Sequence, residues 1–70
     1  MPFYEFTLSG DLDPGVVEQE TGLRCTVAAR ELRARGELVD RAALHGMIER
    51  MYRLGLDLVA VERRSTHHTP

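Results

Sequence analysis

Three polar side chains in the second half of the chain have the spacing that catalysis on a helix would need. His45, Glu49 and Tyr52 lie at positions i, i+4 and i+7, so an α-helix would place them on one face. Glu49 would then orient His45 as a general base. A base also needs a nucleophile and donors for a developing oxyanion, and the surrounding sequence supplies neither. We interpret the triplet as a solvated helix face and keep it as the candidate catalytic set of a small enzyme.

The other chemically capable residues have simpler interpretations. His67 and His68 could ligate a transition metal, but a firm zinc site needs three or four converging ligands, so no metal site is predicted. Cys25 lies on an apolar face, where a thiol packs as a small hydrophobe. Asp11 and Asp13 could ligate a cation, yet a turn followed by a helix cap explains them. No cofactor is predicted.

Arginines dominate the outer face of a predicted hairpin in the middle of the chain. They are Arg24, Arg30, Arg33 and Arg35. A basic sheet with two or three stacking aromatic rings would indicate binding of single-stranded RNA. Only Phe3 could join this face, and Glu5 and Glu37 lie among the arginines. We therefore predict a face paired by cross-strand charges, and nucleic acid is not an expected partner.

Composition bounds the class of protein. Seventy residues predict one domain, and a chain of that size buries only about 60% of the surface that it exposes when unfolded. Self-association would add burial, so a homodimer or larger homo-oligomer is expected. The 43% apolar and 29% charged residues are typical of a soluble globular domain, and the net charge of −2 argues against a general affinity for polyphosphate.

Two further features concern compartment. A single cysteine excludes an internal disulfide, and no apolar run approaches the roughly 20 residues that cross a bilayer. The first residues lack the basic and apolar stretches of a secretion signal. A cytoplasmic protein without a membrane partner is the expectation.

The first half of the chain predicts a strand, a short helix and a hairpin. Tyr4, Phe6 and Leu8 alternate with polar residues, as in a strand with one buried face. Asp13 can cap a helix over residues 14–20, which Gly22 would end. Period-two alternation over residues 23–29 and 32–38 then predicts two strands that turn near residues 29–31, although the favoured Asn-Gly turn signal is missing.

The second half predicts the main helix and a last strand. Asp40 is placed as N-cap of a helix over residues 41–54, Gly55 as its left-handed stop, and Leu56 as the residue that folds back on Met51 in a Schellman motif. The apolar stripe of this helix is Leu44, Met47, Ile48, Met51 and Leu54.

The last strand, residues 56–63, is apolar on both faces. Leu58 and Ala60 fall on one face by strict alternation, and Val59 and Val61 fall on the other. The second face needs a cover, so Phe3, Val59 and Val61 are the predicted interface residues. The domain is predicted to span residues 1–63, followed by a disordered tail over residues 64–70.

This order of elements is that of an α+β, ferredoxin-like βαββαβ sandwich with a short or degenerate first helix. Right-handed crossovers would place the first and third strands in the centre of the sheet. If the helix after Pro14 did not form, the fallback would be a βββαβ sheet with one helix.

One part of the chain resembles a known group of sequences. Residues 36–46 read G-E-L-V-D-R-A-A-L-H-G, and residues 54–58 read L-G-L-D-L. This pattern resembles a family of short hypothetical proteins of high-GC bacteria that show V-D-Q-A-A-L-H-G and a closing L-G-L-x-L. The resemblance covers most of residues 3–63 and implies a shared fold without a particular activity. Arg41 in place of glutamine and the absence of a Gly-Thr-Thr turn are departures from that pattern.

Three functional hypotheses follow. The favoured one is a non-enzymatic interaction or regulatory module that acts as a homo-oligomer and can also take a protein partner. The first alternative is a small-molecule-sensing domain with a ligand between protomers near residues 10–15. The second alternative is the small enzyme that uses His45 with Glu49; RNA binding ranks below all three.

Overall fold

The computed structural model describes residues 2–64 and confirms the βαββαβ order. The elements are β1 Phe3–Ser9, α1 Pro14–Thr21, β2 Arg24–Ala28, β3 Glu31–Glu37, α2 Arg41–Arg53 and β4 Asp57–Arg64. Because α1 forms, the one-helix fallback does not apply. The fold is α+β and ferredoxin-like, as predicted.

The four strands form one antiparallel sheet in the order β2-β3-β1-β4. The first and third strands are therefore central, as right-handed crossovers require. Both helices cover the same face, because one buried cluster joins residues of the sheet to Val17 of α1 and Met51 of α2. The buried sheet residues in that cluster are Phe6, Leu8, Cys25, Leu32 and Ala34.

Each helix begins at the aspartate that the sequence predicted. The Asp13 carboxylate accepts a hydrogen bond from the Gly15 amide at 2.9 Å, and the Asp40 carboxylate accepts one from the Ala43 amide at 2.8 Å. These bonds satisfy amides of the first turn that have no partner within the helix. The helix starts are thus fixed by local chemistry.

The end of α2 is the predicted Schellman motif. Gly55 has φ +88°, its amide donates to the Tyr52 carbonyl at 2.9 Å, and the Leu56 amide donates to the Met51 carbonyl at 3.1 Å. Leu56 and Met51 are both buried, which supplies the apolar contact that accompanies this motif. The chain therefore leaves α2 in the direction that starts β4 beside β1.

The β2–β3 hairpin turns at Ala29 and Arg30, within the predicted residues. Both have positive φ, +49° and +71°, as a two-residue type I′ turn requires. Neither residue is glycine or asparagine, so the turn holds strained backbone of order 1 kcal/mol or more per residue. The turn therefore forms without the residues that favour it, which is why the sequence contains no Asn-Gly signal at this position.

The faces predicted for β4 were wrong because the strand contains a bulge. Leu8 lies opposite Leu58 and Thr7 opposite Ala60, so Val59 is the extra residue. Val61 lies opposite the buried Phe6 and thus shares the helix-covered face with Leu58. Strict alternation had placed Leu58 and Val61 on opposite faces.

Strand β4 also extends one residue beyond the predicted domain end. Arg64 lies opposite Phe3 and is part of the sheet. The rest of the predicted disordered tail, with His67 and His68, lies outside the described residues.

Candidate functional site

The sheet face that carries no helix is rich in charge. Register places on it Phe3, Glu5, Thr7 and Ser9 of β1, Arg24 and Thr26 of β2, Glu31, Arg33, Arg35 and Glu37 of β3, and Ala60, Glu62 and Arg64 of β4. We call this the open face. The cross-strand pairing predicted for the hairpin arginines is not found among residues 2–64, because Arg33 pairs with Glu31 on its own strand and Arg30 lies in the turn rather than on this face. The cross-strand ion pair of the open face joins Arg64 of β4 to Glu5 of β1.

Ion pairs hold the β4 side of the open face. The Arg64 guanidinium lies 2.9 Å from the Glu5 carboxylate and 2.9 Å from that of Glu62. The Glu5 side chain is only 13% exposed, so this pair is partly shielded from solvent. Arg33 lies 3.9 Å from Glu31, a longer and more exposed contact. Two carboxylates of the open face, those of Glu5 and Glu62, are therefore paired with Arg64.

A notch opens where β2 begins. Arg24 is the first residue of β2 and lies directly opposite Arg35, whereas β3 continues to Glu37 without a β2 partner. The cavity at this point has a volume of about 610 Å³ and is lined by Phe3, Gly22, Arg24, Arg35, Gly36 and Glu37. We call it the β2 notch. Leu23 closes its core side, since a Cβ on Gly36 would lie 2.6 Å from the Leu23 Cδ2 atom.

A second cleft lies at the other end of the sheet. It has a volume of about 700 Å³ between the β1–α1 loop and the hairpin turn, and is lined by Gly10, Asp11, Leu12, Val27, Arg30, Glu31 and Leu32. We call it the loop cleft. Its lining combines both signs of charge with apolar side chains, so it can accommodate a small polar molecule.

The predicted catalytic set lies on the solvent side of α2. His45, Glu49 and Tyr52 are all exposed. The Glu49 carboxylate lies 3.9 Å from Arg53, an i, i+4 contact with both side chains open to water. The structure thus places the three residues along one helix without enclosing them, which is typical of a solvated surface.

Cys25 is buried, and burial with the nearby Glu18 carboxylate raises the pKa of its thiol to about 11. A thiol with so high a pKa is mostly protonated near neutral pH and reacts slowly. Glu18 has a second role, because its carboxylate accepts a hydrogen bond from the Cys25 amide at 2.8 Å. This contact joins α1 to the edge strand β2, and no sequence pattern predicted it.

The predicted interface residues differ in their surroundings. Val59 and Val61 are 55% and 38% exposed on the edge strand β4, while Phe3 is half-buried on the open face. Val59 and Val61 are therefore adjacent to the free edge, and Phe3 belongs to the β2 notch instead. The three residues do not form one continuous patch.

The arginine pair of the β2 notch was not predicted from the sequence. A two-residue turn at residues 29 and 30 places residues 24 and 35 opposite each other, because the paired numbers of a hairpin have a constant sum. The sequence therefore implies that Arg24 and Arg35 face each other, but only if both turn residues are predicted correctly.

Residues 2–64 contain neither a group of metal ligands nor a helix that could cross a bilayer. No group of three or more histidine, cysteine, aspartate or glutamate side chains in that range is placed to hold a metal ion. Neither helix there has the length and apolar character needed to cross a bilayer.

Comparison with known sequences assigns the chain to a family. No curated protein and no solved structure matches it. The resemblance to short hypothetical proteins of high-GC bacteria stays a prediction. A family model described as "Domain of unknown function (DUF8691)" matches residues 3–62, which is most of the chain, and the chain therefore belongs to that family.

Proposed function

We propose that the protein is a non-enzymatic interaction module that pairs with a second copy of itself through β4. The observation that carries this proposal is the exposure of Val59 and Val61 on an eight-residue strand at the edge of the sheet. An unprotected edge offers a row of backbone donors and acceptors to another strand. Pairing would also supply burial that a chain of this size lacks.

The contrast between the two sheet edges supports β4 as the pairing strand. Strand β2 has five residues, and its Cys25 amide is already bonded to the Glu18 carboxylate of α1. Strand β4 has eight residues and packs against β1 on one side. The longer and less covered edge is the better template for a second strand.

Charge favours a pairing centred on Val61. An antiparallel arrangement with a two-fold axis normal to the sheet keeps the helices of both copies on one side. Centring the axis on Glu62 or Arg63 would place identical charges directly opposite each other, which is unfavourable. Centring it on Val61 brings two apolar side chains together beside the helix layer. The assembly would be an eight-stranded sheet.

The test is the oligomeric state of matched valine variants. Val61→Arg introduces a charge at the proposed centre, and Val27→Arg introduces the same charge on the opposite edge strand, where Val27 is 59% exposed. We expect wild type and Val27→Arg to sediment as dimers and Val61→Arg as a monomer. Sedimentation velocity at several concentrations measures this.

Two outcomes would contradict the proposal. A wild-type protein that remains monomeric at high concentration would show that β4 does not pair with a second copy. Dissociation by Val27→Arg with retention of the dimer in Val61→Arg would place the interface at β2. Circular dichroism of each variant separates loss of pairing from loss of fold.

A second candidate function is the sensing of a small molecule with a site between protomers. The loop cleft favours it, because the cleft lies at the predicted loop and has the volume of a metabolite site. A ligand present at 100 times its Kd should stabilise the fold by about 2.7 kcal/mol. A thermal-shift screen of metabolites with wild type and Arg30→Gln would test it. A metabolite that stabilises Arg30→Gln as much as wild type would contradict a site in the loop cleft. The third hypothesis, an enzyme using His45, gains no support from an exposed imidazole.

A further inference from the structure

The geometry points to an anion-binding site in the β2 notch, in which Arg24 and Arg35 hold the phosphate group of a phosphomonoester that carries a planar ring. Nucleoside monophosphates are the class of ligand with this chemistry. The site uses neither the β4 edge nor the loop cleft, so it is independent of both proposed functions.

Two like charges face each other at the start of β2. Arg24 and Arg35 occupy directly opposite positions of an antiparallel pair, so their side chains are direct cross-strand neighbours on the open face. Like charges at such positions destabilise a sheet. An anion between the two guanidinium groups would turn that repulsion into attraction. The register therefore favours the binding of a negatively charged group between the two arginines.

Within residues 2–64, no carboxylate is paired with either of these two arginines. Among residues 2–64, neither Arg24 nor Arg35 forms an ion pair, whereas Arg33, Arg53 and Arg64 each do. Glu5 is the cross-strand neighbour of Arg35 on β1, yet its carboxylate lies 2.9 Å from Arg64. The nearest acid on β1 is thus engaged elsewhere.

The β2 notch has the size and the lining of a small-molecule site. Its volume of about 610 Å³ lies within the range of roughly 300–1,000 Å³ that is usual for small-molecule sites. Guanidinium groups present planar forks of N–H donors that match the oxygens of a phosphate. Phe3 adds a ring on which a planar heterocycle can stack.

Glu37 sets the limit on ligand charge. Its carboxylate lines the same notch, so the lining carries two positive charges and one negative charge. That balance suits a single phosphate and disfavours a polyphosphate chain. A carboxylate also accepts hydrogen bonds from hydroxyl or amino groups, which a nucleoside offers. These features distinguish the site from a nucleic-acid surface, which would need several rings.

The experiment is calorimetric titration of the full chain with adenosine monophosphate, ribose 5-phosphate and inorganic phosphate at low salt. We expect the nucleotide to bind most tightly. Arg24→Gln and Arg35→Gln should each weaken it by about tenfold or more, since a charge-assisted bidentate contact is worth about 1.5–3 kcal/mol. Arg33→Gln is the matched control, because Arg33 lies on the same strand and face but pairs with Glu31, and it should leave affinity unchanged.

Phe3→Leu tests the ring. It should weaken binding of adenosine monophosphate while leaving that of ribose 5-phosphate as in wild type. Equal affinity for the nucleotide and inorganic phosphate would overturn the part of the inference that concerns the ring.

A stability measurement guards against variants that bind poorly for another reason. Without ligand, Arg35→Gln should raise the melting temperature, because it removes the like-charge pair. Added nucleotide at one fixed concentration should raise the melting temperature of wild type more than that of Arg35→Gln. Wild-type affinity in both Arg24→Gln and Arg35→Gln, or no binding by wild type, would overturn the site.

Discussion

The same four strands form two sheet faces of opposite character, one apolar and covered by helices and the other charged and open. The helix-covered face is filled by side chains such as Phe6, Leu8 and Ala34, all fully buried. The open face carries arginines and glutamates in alternating positions along β3, with cross-strand charges on β1 and β4. Apolar burial is therefore concentrated on one face, and the other face consists mainly of charged and polar side chains.

The largest test of this contrast replaces neighbouring residues of β1 that point to opposite faces. Phe6→Ala should cost about 3–5 kcal/mol, because it leaves a cavity beneath both helices. Thr7→Val keeps the shape of an open-face side chain and should change stability by no more than about 0.5 kcal/mol. Urea unfolding followed by circular dichroism measures both.

A domain of this size has only a few kcal/mol to lose, so Phe6→Ala itself risks being unfolded in buffer. Phe6→Leu serves as the graded variant and should remain folded with a smaller loss. Equal effects of Phe6→Leu and Thr7→Val would show that the two faces do not differ as the structure indicates.

The second test compares the reactivity of the buried thiol in the folded and unfolded chain. Burial raises the pKa of Cys25 from 9.0 to about 11, so at pH 8 its thiolate fraction should be about a hundredfold below that of an unperturbed thiol. Alkylation by iodoacetamide, followed by mass spectrometry, should be slower by at least that factor in the folded protein. The rate should keep rising up to about pH 11.

The sign of the stability change at high pH follows from the same shift. The folded state holds the thiol proton more tightly, so the contribution of Cys25 is present below pH 9 and is lost as pH rises toward 11. Cys25→Val should remove this part of the pH dependence. Rapid alkylation in buffer, at the rate seen in urea, would mean that the thiol is not enclosed.

The sequence predicted what local chemistry determines. The caps at Asp13 and Asp40, the stop at Gly55 and the stripe of α2 each depend on residues within a few positions of one another, and the structure contains all of them. Alternation on β1 likewise predicted its buried face.

Features set by non-local pairing escaped prediction. The bulge at Val59 exists only because β4 pairs with β1, a strand some fifty residues earlier in the chain. That one extra residue places Val61 on the helix-covered side, so a prediction from strict alternation of side chains was wrong for this strand. The Arg24–Arg35 pair depended on the turn position in the same way, since a slip of one residue moves every side chain of a strand to the other face.

The hairpin turn therefore determines which residues reach which face, and its backbone can be improved. Ala29→Asn with Arg30→Gly supplies the residues that favour positive φ at both turn positions. We expect a gain of about 1–2 kcal/mol in unfolding free energy from the relief of strain. Ala42→Gly on the exposed side of α2 is the control for glycine itself and should cost about 1 kcal/mol. A loss of stability in the turn variant would contradict the positive φ values.

The smallest expected effect separates the enclosed ion pair of the open face from an exposed one. A double-mutant cycle with Glu5→Gln and Arg64→Gln should give a coupling of about 0.5–1 kcal/mol, because Glu5 is largely covered while Arg64 reaches solvent. The matched cycle with Glu49→Gln and Arg53→Gln on α2 should give no more than about 0.3 kcal/mol, since both partners are open to water at 3.9 Å. Raising the salt concentration should remove the second coupling and only reduce the first, because screening acts most strongly on exposed charges. Equal couplings with equal salt dependence would show that the open face shields its charges no better than an isolated helix does, and the preference of Glu5 for Arg64 over Arg35 would then lose its physical basis.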